Sequence, residues 1–320
     1  MKVGVLTVPL SAMPLKEALE YLKSIGVQTV EIGCGGFSGN AHCNPEKLLS
    51  SKADLAEFKQ TLGETGLEIS ALSCHGNGVH PNSATAALAD KTLEQTIMLA
   101  HELGVGVVNT FSGCPGDSPQ SQYPNWVTCP WPDDFTKVLD YQWNDCLLPY
   151  WRKRAEFATK HGVKVALEMH PGFCVYNTAS MLRIRSEVGN ALGANYDPSH
   201  LLWQGMNVAE SIRELQGAIY HVHAKDCKID KVNTAKKGVL DTLHYSDEIN
   251  RGWIFRTIGY DSDMETWKEL ISMLRLVGYD GAVSIEHEDS LMSPKEGLEK
   301  AVRFLQEIII AEKPADIWWA

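Results

Sequence analysis

One phrase recurs along this 320-residue chain: an amphipathic stretch, a Gly, then a run rich in Val and Ile. It reads SIG–VQTVEI at Gly26, ETG–LEISALS at Gly66, ELG–VGVVNTF at Gly104, KHG–VKVALE at Gly162 and LVGYDG–AVSIE at Gly278. A Gly just past a helix suits the left-handed position that penalises a Cβ. Apolar runs with little polar alternation are covered on both faces, which calls for parallel strands between helices. Lys2–Thr7, Leu192–Asp197 and Ile219–His223 bring the strands to eight. Eight βα units in this length predict an α/β fold, a (β/α)8 TIM barrel spanning residues 1–320 as a single domain. A doubly wound open sheet is the alternative. Its nucleotide loop is missing, because VGVLTVPLSAMP at the first strand contains no GxGxxG.

The same strands carry a second pattern. Val163–Glu168, Leu192–Asp197, Ile219–His223 and Gly281–Glu286 each stop on a side chain that ligates metal ions. One such ending reads as a solvated strand terminus. Four of them at one rim of a barrel make an oxygen-rich site with a single imidazole, suited to Mn²⁺, Mg²⁺, Co²⁺ or Zn²⁺. His221 and His223 face the same way, one layer apart. His223 lies nearer the rim and is the ligand candidate, leaving His221 to the core or to a supporting role.

Composition narrows the function. A net charge of −11 argues against nucleic acid or an anionic membrane surface as partner. With 44% hydrophobic residues there is still no apolar run of transmembrane length. The opening MKVGVLTVPL reads as a strand rather than a signal peptide. Eight scattered cysteines without a CxxC pair suggest reduced, packed thiols and a cytoplasmic location.

Two segments exceed ordinary loop lengths, Ser112–Pro132 after the fourth strand and Lys225–Ser262 after the seventh. Both lie on the catalytic face expected of a barrel, as walls or lids over a sugar or as interface decoration. The third strand ends in SCHGNGVHP, with His75 directly at its end and His80 further into the loop. Glu31 and His42 are weaker candidates for the same rim, and His42 and His80 read equally well as hydrogen-bonded loop residues. Trp318 and Trp319 close the chain, placed to dock on a neighbouring subunit or the barrel floor.

Four motifs, ALEMHP (166–171), NYDPSH (195–200), HVHAKD (221–226) and SIEHED (284–289), carry a resemblance over nearly the full length. The chain resembles the xylose isomerase-like barrel superfamily, in the sugar phosphate isomerase/epimerase group with ketose 3-epimerases and inosose dehydratases. The resemblance implies one divalent ion, Mn²⁺ first, held by Glu168, Asp197, His223 and Glu286. It also places His200 beside substrate oxygens. His75, His170, Lys225 and Arg256 complete the substrate-binding candidates, and His287 is structural. Glu168 and Glu286 are the catalytic candidates, as proton carriers on opposite faces of a sugar carbon next to a carbonyl. Return of the proton inverts the centre or isomerises the sugar.

Loss of a β leaving group would instead make a lyase on 3-oxo-glycosides, similar to the catalytic subunits of C-glycoside deglycosidases, with a small partner subunit. Otherwise a homo-oligomer is expected. Phosphodiester cleavage, known in AP endonuclease relatives, conflicts with the acidic charge and the single four-ligand set. A non-catalytic binding barrel stabilised by a metal is the remaining reading. No glycine-rich anion loop follows the last two strands, so the expected partner is a neutral keto-sugar or an oxidised glycoside.

Overall fold

The computed structural model describes residues 1–317 and 319. Its strands are β1 (Lys2–Leu6), β2 (Thr29–Gly33), β3 (Glu68–Ser73), β4 (Val107–Phe111), β5 (Lys164–Glu168), β6 (Leu192–Tyr196), β7 (Ile219–Ala224), β8 (Asp226–Ile229), β9 (Trp253–Arg256) and β10 (Ala282–Ile285). Eight of them close into a barrel in the order β1-β10-β7-β6-β5-β4-β3-β2, every pair parallel. The recurring phrase explains the closure. Gly66 and Gly104 terminate the helices Lys52–Thr65 and Ser83–Leu103 in the left-handed conformation, φ 69° and 70°, and the chain turns straight into the next strand. Helix faces bury Leu19, Leu22, Ile97, Leu99, Trp151, Ile271 and Leu305 against the strands' outward side chains.

The barrel interior is polar in its upper layers. Glu31, Ser73, Asn109, Asn195, His221, His223 and Ser284 are all buried there. Pairing slips by one residue between Val30 and Glu31 on β2 and between Ala194 and Asn195 on β6. Such irregularities re-aim side chains, and here they occur at two members of the polar interior.

The segment Lys225–Ser262, read from the sequence as a long loop, is partly regular. β8 and β9 form an antiparallel ribbon pairing Asp226 with Arg256 and Ile229 with Trp253. A helix, Lys231–Lys237, follows β8. Trp203, Cys227, Trp253 and Phe255 make a small core of their own beneath the ribbon. Ser112–Pro132 stays irregular. It is tied down at its start by the Trp151 indole, which donates to the Ser112 carbonyl at 2.8 Å, and part-way along by Gln142, which donates to the Asn125 carbonyl at 2.7 Å.

All eight cysteines are free thiols, and Cys129 is exposed. No helix among the described residues is long and apolar enough to cross a membrane. Trp318 lies outside the described residues, and Trp319 is largely exposed.

Gly36 sits where the turn after β2 meets the end of β3. Its φ is +62°, and a Cβ there would lie 1.9 Å from the His75 carbonyl oxygen. Gly36→Ala should therefore cost more than the roughly 1–2 kcal/mol of a left-handed non-glycine residue, because the His75 backbone must also move. Urea unfolding should show a clearly lowered midpoint. A midpoint equal to that of the parent chain would contradict the close approach.

Candidate metal and catalytic centre

The four strand-end residues converge. Glu168, Asp197, His223 and Glu286 each offer a ligand atom within 4.8 Å of the others. Glu168 ends β5, His223 lies on β7, and Glu286 follows β10, with its N–H 3.4 Å from the Ala224 carbonyl. Asp197 follows β6 and caps the helix Pro198–Leu202, its Oδ1 accepting from the Ser199 N–H at 2.8 Å. That bond uses one carboxylate oxygen and leaves Oδ2 for the centre. Oδ2 is buried, accepts no hydrogen bond, and lies 3.0 Å from Lys225 Nζ and 3.3 Å from His200 Nε2.

His223 is held from both sides. Its Nε2 is 3.0 Å from Glu31 Oε2, while Nδ1 faces Glu286 Oε2 at 3.1 Å and Glu168 Oε2 at 3.6 Å. Glu31 in turn accepts from Ser73, from Asn109 Nδ2 at 2.8 Å and from Ser284 Oγ at 2.9 Å. Burial would raise the Glu31 carboxyl, but the imidazoles of His223 and His221 outweigh it and hold the group well below the usual carboxylate range. One layer down, His221 Nδ1 is 3.0 Å from Asn195 Oδ1 and its Nε2 is 3.2 Å from Ser70 Oγ. Burial brings its pKa down to about 4, so it stands neutral beneath the centre.

The electrostatics ask for positive charge. Burial disfavours ionisation of Glu168 and Glu286, yet both are held as carboxylates, Glu168 chiefly by His75 and Glu286 by Lys225 and His223. Burial opposes the charged forms of His223 and Lys225, and the surrounding carboxylates reverse this and raise both. Three buried carboxylates (Glu31, Glu168 and Asp197) and the half-buried Glu286 thus share this centre with one buried ammonium, Lys225, which contacts Asp197 and Glu286. Clustered carboxylates out of water are costly without compensating cations. Three carboxylates and an imidazole in contact are a donor set that fits a divalent cation.

Of the substrate-binding candidates, three histidines border the centre. His75 Nε2 lies 2.9 Å from Glu168 Oε2 and its Nδ1 2.7 Å from Ser38 Oγ. His200 Nε2 lies 3.1 Å from Glu168 Oε1. His170 packs on His200 with ring centroids 4.0 Å apart, and burial takes its pKa down to about 3. Lys225 bonds Glu286 at 2.5 Å and Glu288 at 2.9 Å, and its ammonium lies 4.5 Å from the centre of the Phe255 ring.

Arg256 is not brought to the centre. Strand alternation turns Phe255 toward Lys225 and His200, so its neighbour Arg256 faces away, bonded to Asp289 at 3.1 Å and lying over Tyr260. His42 is 3.0 Å from the Met13 carbonyl and serves its loop. His80 accepts from the Asn82 N–H but also lines a cavity beside His75. His287 packs beside Gly297.

Two cavities flank the centre and share Gly172 on their rims. The larger, about 710 Å³, is lined by His75, His80, Phe37 and Phe173. The smaller, about 370 Å³, is lined by His170, His200 and a group of aromatic residues.

Glu31 carries more of this centre than its position at a strand end suggested. The carboxylate–imidazole pair is the usual way a ligating His is oriented, and removing the outer partner typically costs 10–100-fold in metal affinity. Glu31→Gln should weaken divalent-metal binding by that factor in a calorimetric titration, while thermal unfolding of the metal-stripped protein stays cooperative. Unaltered affinity would mean that Glu31 only fills the barrel.

A family model described as xylose isomerase-like TIM barrel matches residues 19–308. The uncharacterized protein YfiH of Bacillus subtilis strain 168 is 38% identical over 312 residues, 97% of this chain and 99% of that one. An inosose dehydratase of Geobacillus thermodenitrificans strain NG80-2 is 24% identical over 247 residues, 74% of this chain and 78% of its own. Among solved structures, the apo 3-keto-D-glucoside 4-epimerase YcjR from E. coli superposes with a TM-score of 0.65 over 96% of this chain and 99% of that one. At 17% identity that likeness speaks for the fold alone. The barrel, its polar rim and the matched residues place this chain in the xylose isomerase-like TIM barrel family.

Proposed function

We propose that the protein is a divalent-metal-dependent epimerase or isomerase of a keto-sugar, working by proton transfer at the carbon next to the carbonyl. One observation carries this reading. Glu168 and Glu286 come from strands separated by β6 and β7, yet their carboxylates meet beside Asp197 and His223 within 4.8 Å. A carbon held between them has one carboxylate on each face. When bound, a divalent cation supplies a Lewis acid that draws charge from the carbonyl oxygen.

The side chains do the rest. One glutamate, held ionised by its neighbours, takes the proton, and the other returns a proton to the opposite face, inverting the centre. Return to the adjacent carbon exchanges aldose and ketose. His75 and His200, whose Nε2 atoms lie 2.9 and 3.1 Å from Glu168, orient that carboxylate. Mn²⁺ is the expected ion, since oxygen donors with one imidazole suit it.

The likeness to an inosose dehydratase favours a second reading, in which the same proton loss is followed by expulsion of a β leaving group. YcjR is by name an epimerase of a keto-glucoside, and its fold match sits with the first. Metal-loaded protein incubated with a panel of ketohexoses and ring-oxidised glucosides, with products read by NMR, separates the two. An inverted centre supports epimerisation and a dehydrated or aglycone-free product supports elimination. No conversion of any member would contradict both.

A further inference from the structure

We infer that Lys225 is a built-in rival of the divalent cation: its ammonium holds two of the carboxylates the ion needs, and loading the centre shifts it onto Glu288. This goes beyond the proposed reaction and rests on the reading of the centre as a metal site. Lys225 Nζ lies 3.0 Å from Asp197 Oδ2, 2.5 Å from Glu286 Oε2 and 2.9 Å from Glu288 Oε2. The first is the oxygen that the Asp197 cap leaves for the centre, and the second is the one that faces His223. Glu288 stands outside the ligand cluster, and its side chain is half-exposed.

The lysine has no way to withdraw. It is the single residue between β7 and β8, and its side chain is buried. The next residue, Asp226, is pinned by Ser262, whose Oγ and N–H donate to its carboxylate at 2.8 and 3.0 Å. Phe255 lies beside the ammonium, its ring centre 4.5 Å away. A divalent ion on Asp197 and Glu286 therefore has a tethered positive charge next to it, in a site where water screens little. What the loaded centre leaves the ammonium is the Glu288 carboxylate and the face of Phe255, both of which attract a cation. The same lysine answers a folding problem. Carboxylates clustered out of water need a compensating cation, and Lys225 supplies one that comes with the chain, at the expense of affinity for the ion.

The test is a calorimetric titration of Mn²⁺ into the chelator-stripped parent chain, Lys225→Met, Glu288→Gln and the double variant, with folding checked by circular dichroism. Methionine keeps the unbranched stem and removes the charge. Lys225→Met should bind Mn²⁺ at least about tenfold more tightly, the effect of deleting a charge a few ångströms from the ion. A merely structural lysine would give the opposite sign. Glu288→Gln should weaken binding about threefold in the parent chain and by less than about twofold beside Lys225→Met, a coupling that the double-variant cycle isolates. Without metal, Lys225→Met should melt at a lower temperature than the parent, and excess Mn²⁺ should close the gap. Equal or weaker Mn²⁺ binding by folded Lys225→Met overturns the inference and leaves the metal site standing, as does a Glu288→Gln effect that is the same with and without Lys225. Should Lys225→Met not fold, the half-exposed Glu288→Gln decides, and unaltered affinity there overturns it. Failure of all four chains to bind Mn²⁺ would refute the metal-site reading and this inference with it.

Discussion

Glu168→Gln, and separately Glu286→Gln, should each lower turnover by roughly 10²–10⁴-fold, the cost of removing a general acid–base group. The amide keeps the size and one oxygen of the carboxylate but cannot carry the proton. Glu168→Gln also leaves His75 and His200 facing a neutral group in place of the carboxylate they now contact at 2.9 and 3.1 Å. Glu286→Gln takes away the carboxylate at 2.5 Å from the Lys225 ammonium and leaves it with Asp197 and Glu288 at 3.0 and 2.9 Å. Rates are compared at saturating metal, with metal content measured in each sample, so that a lost ligand is not mistaken for a lost proton carrier. A variant that keeps its metal and turns over within tenfold of the parent would remove that glutamate from the chemistry.

The second large effect separates ligands from neighbours. His223→Ala and Asp197→Asn should lose the divalent ion on dialysis, their affinity falling by more than the 10–100-fold typical of an outer partner. His200→Ala should keep the ion and lose sugar binding. Both histidines lie close to the same carboxylates, at 3.6 Å and 3.1 Å from Glu168, so distance alone does not assign them. What distinguishes them is surroundings. His223 is clamped by Glu31 with its other nitrogen turned to the centre, while His200 sits on a helix and lines a cavity. Equal metal loss in all three variants would make His200 a ligand.

The barrel and the converging strand ends were legible in the sequence for physical reasons. A strand covered on both faces has no use for a terminal carboxylate or imidazole, so Glu168, Asp197, His223 and Glu286 stand out where an apolar run stops. The polar interior was harder to see. Glu31 meets His223 across 192 residues of chain and Asn109 across 78, and no spacing along the sequence encodes either contact. Asn109 and Asn195, set inside runs that are otherwise apolar, were the available signal. The ribbon was missed because β8 and β9 have four residues each, too short for alternation to declare itself before the pairing of Cys227 with Phe255 is known. Once it is known, the same alternation explains why Arg256 faces Asp289 and not the centre. The segments that carry Trp126 and Trp253 were readable as walls over a sugar or as interface decoration. The structure gives Trp253 a stacking partner and both of them a place in one cavity.

The most direct measurement is hydrogen exchange at the carbon next to the carbonyl. Protein stripped with a chelator and protein reloaded with Mn²⁺ are each incubated with a ring-oxidised glucoside in D₂O, and the sugar is examined by NMR before net conversion is complete. Proton abstraction by the glutamate pair predicts deuterium at that carbon in the reloaded sample, none above background in the stripped one, and none in whichever of Glu168→Gln and Glu286→Gln lacks the abstracting carboxylate, while the other variant exchanges without inverting the centre. Conversion without deuterium uptake, or uptake that is equally fast in the stripped protein, would contradict metal-assisted proton transfer at this centre.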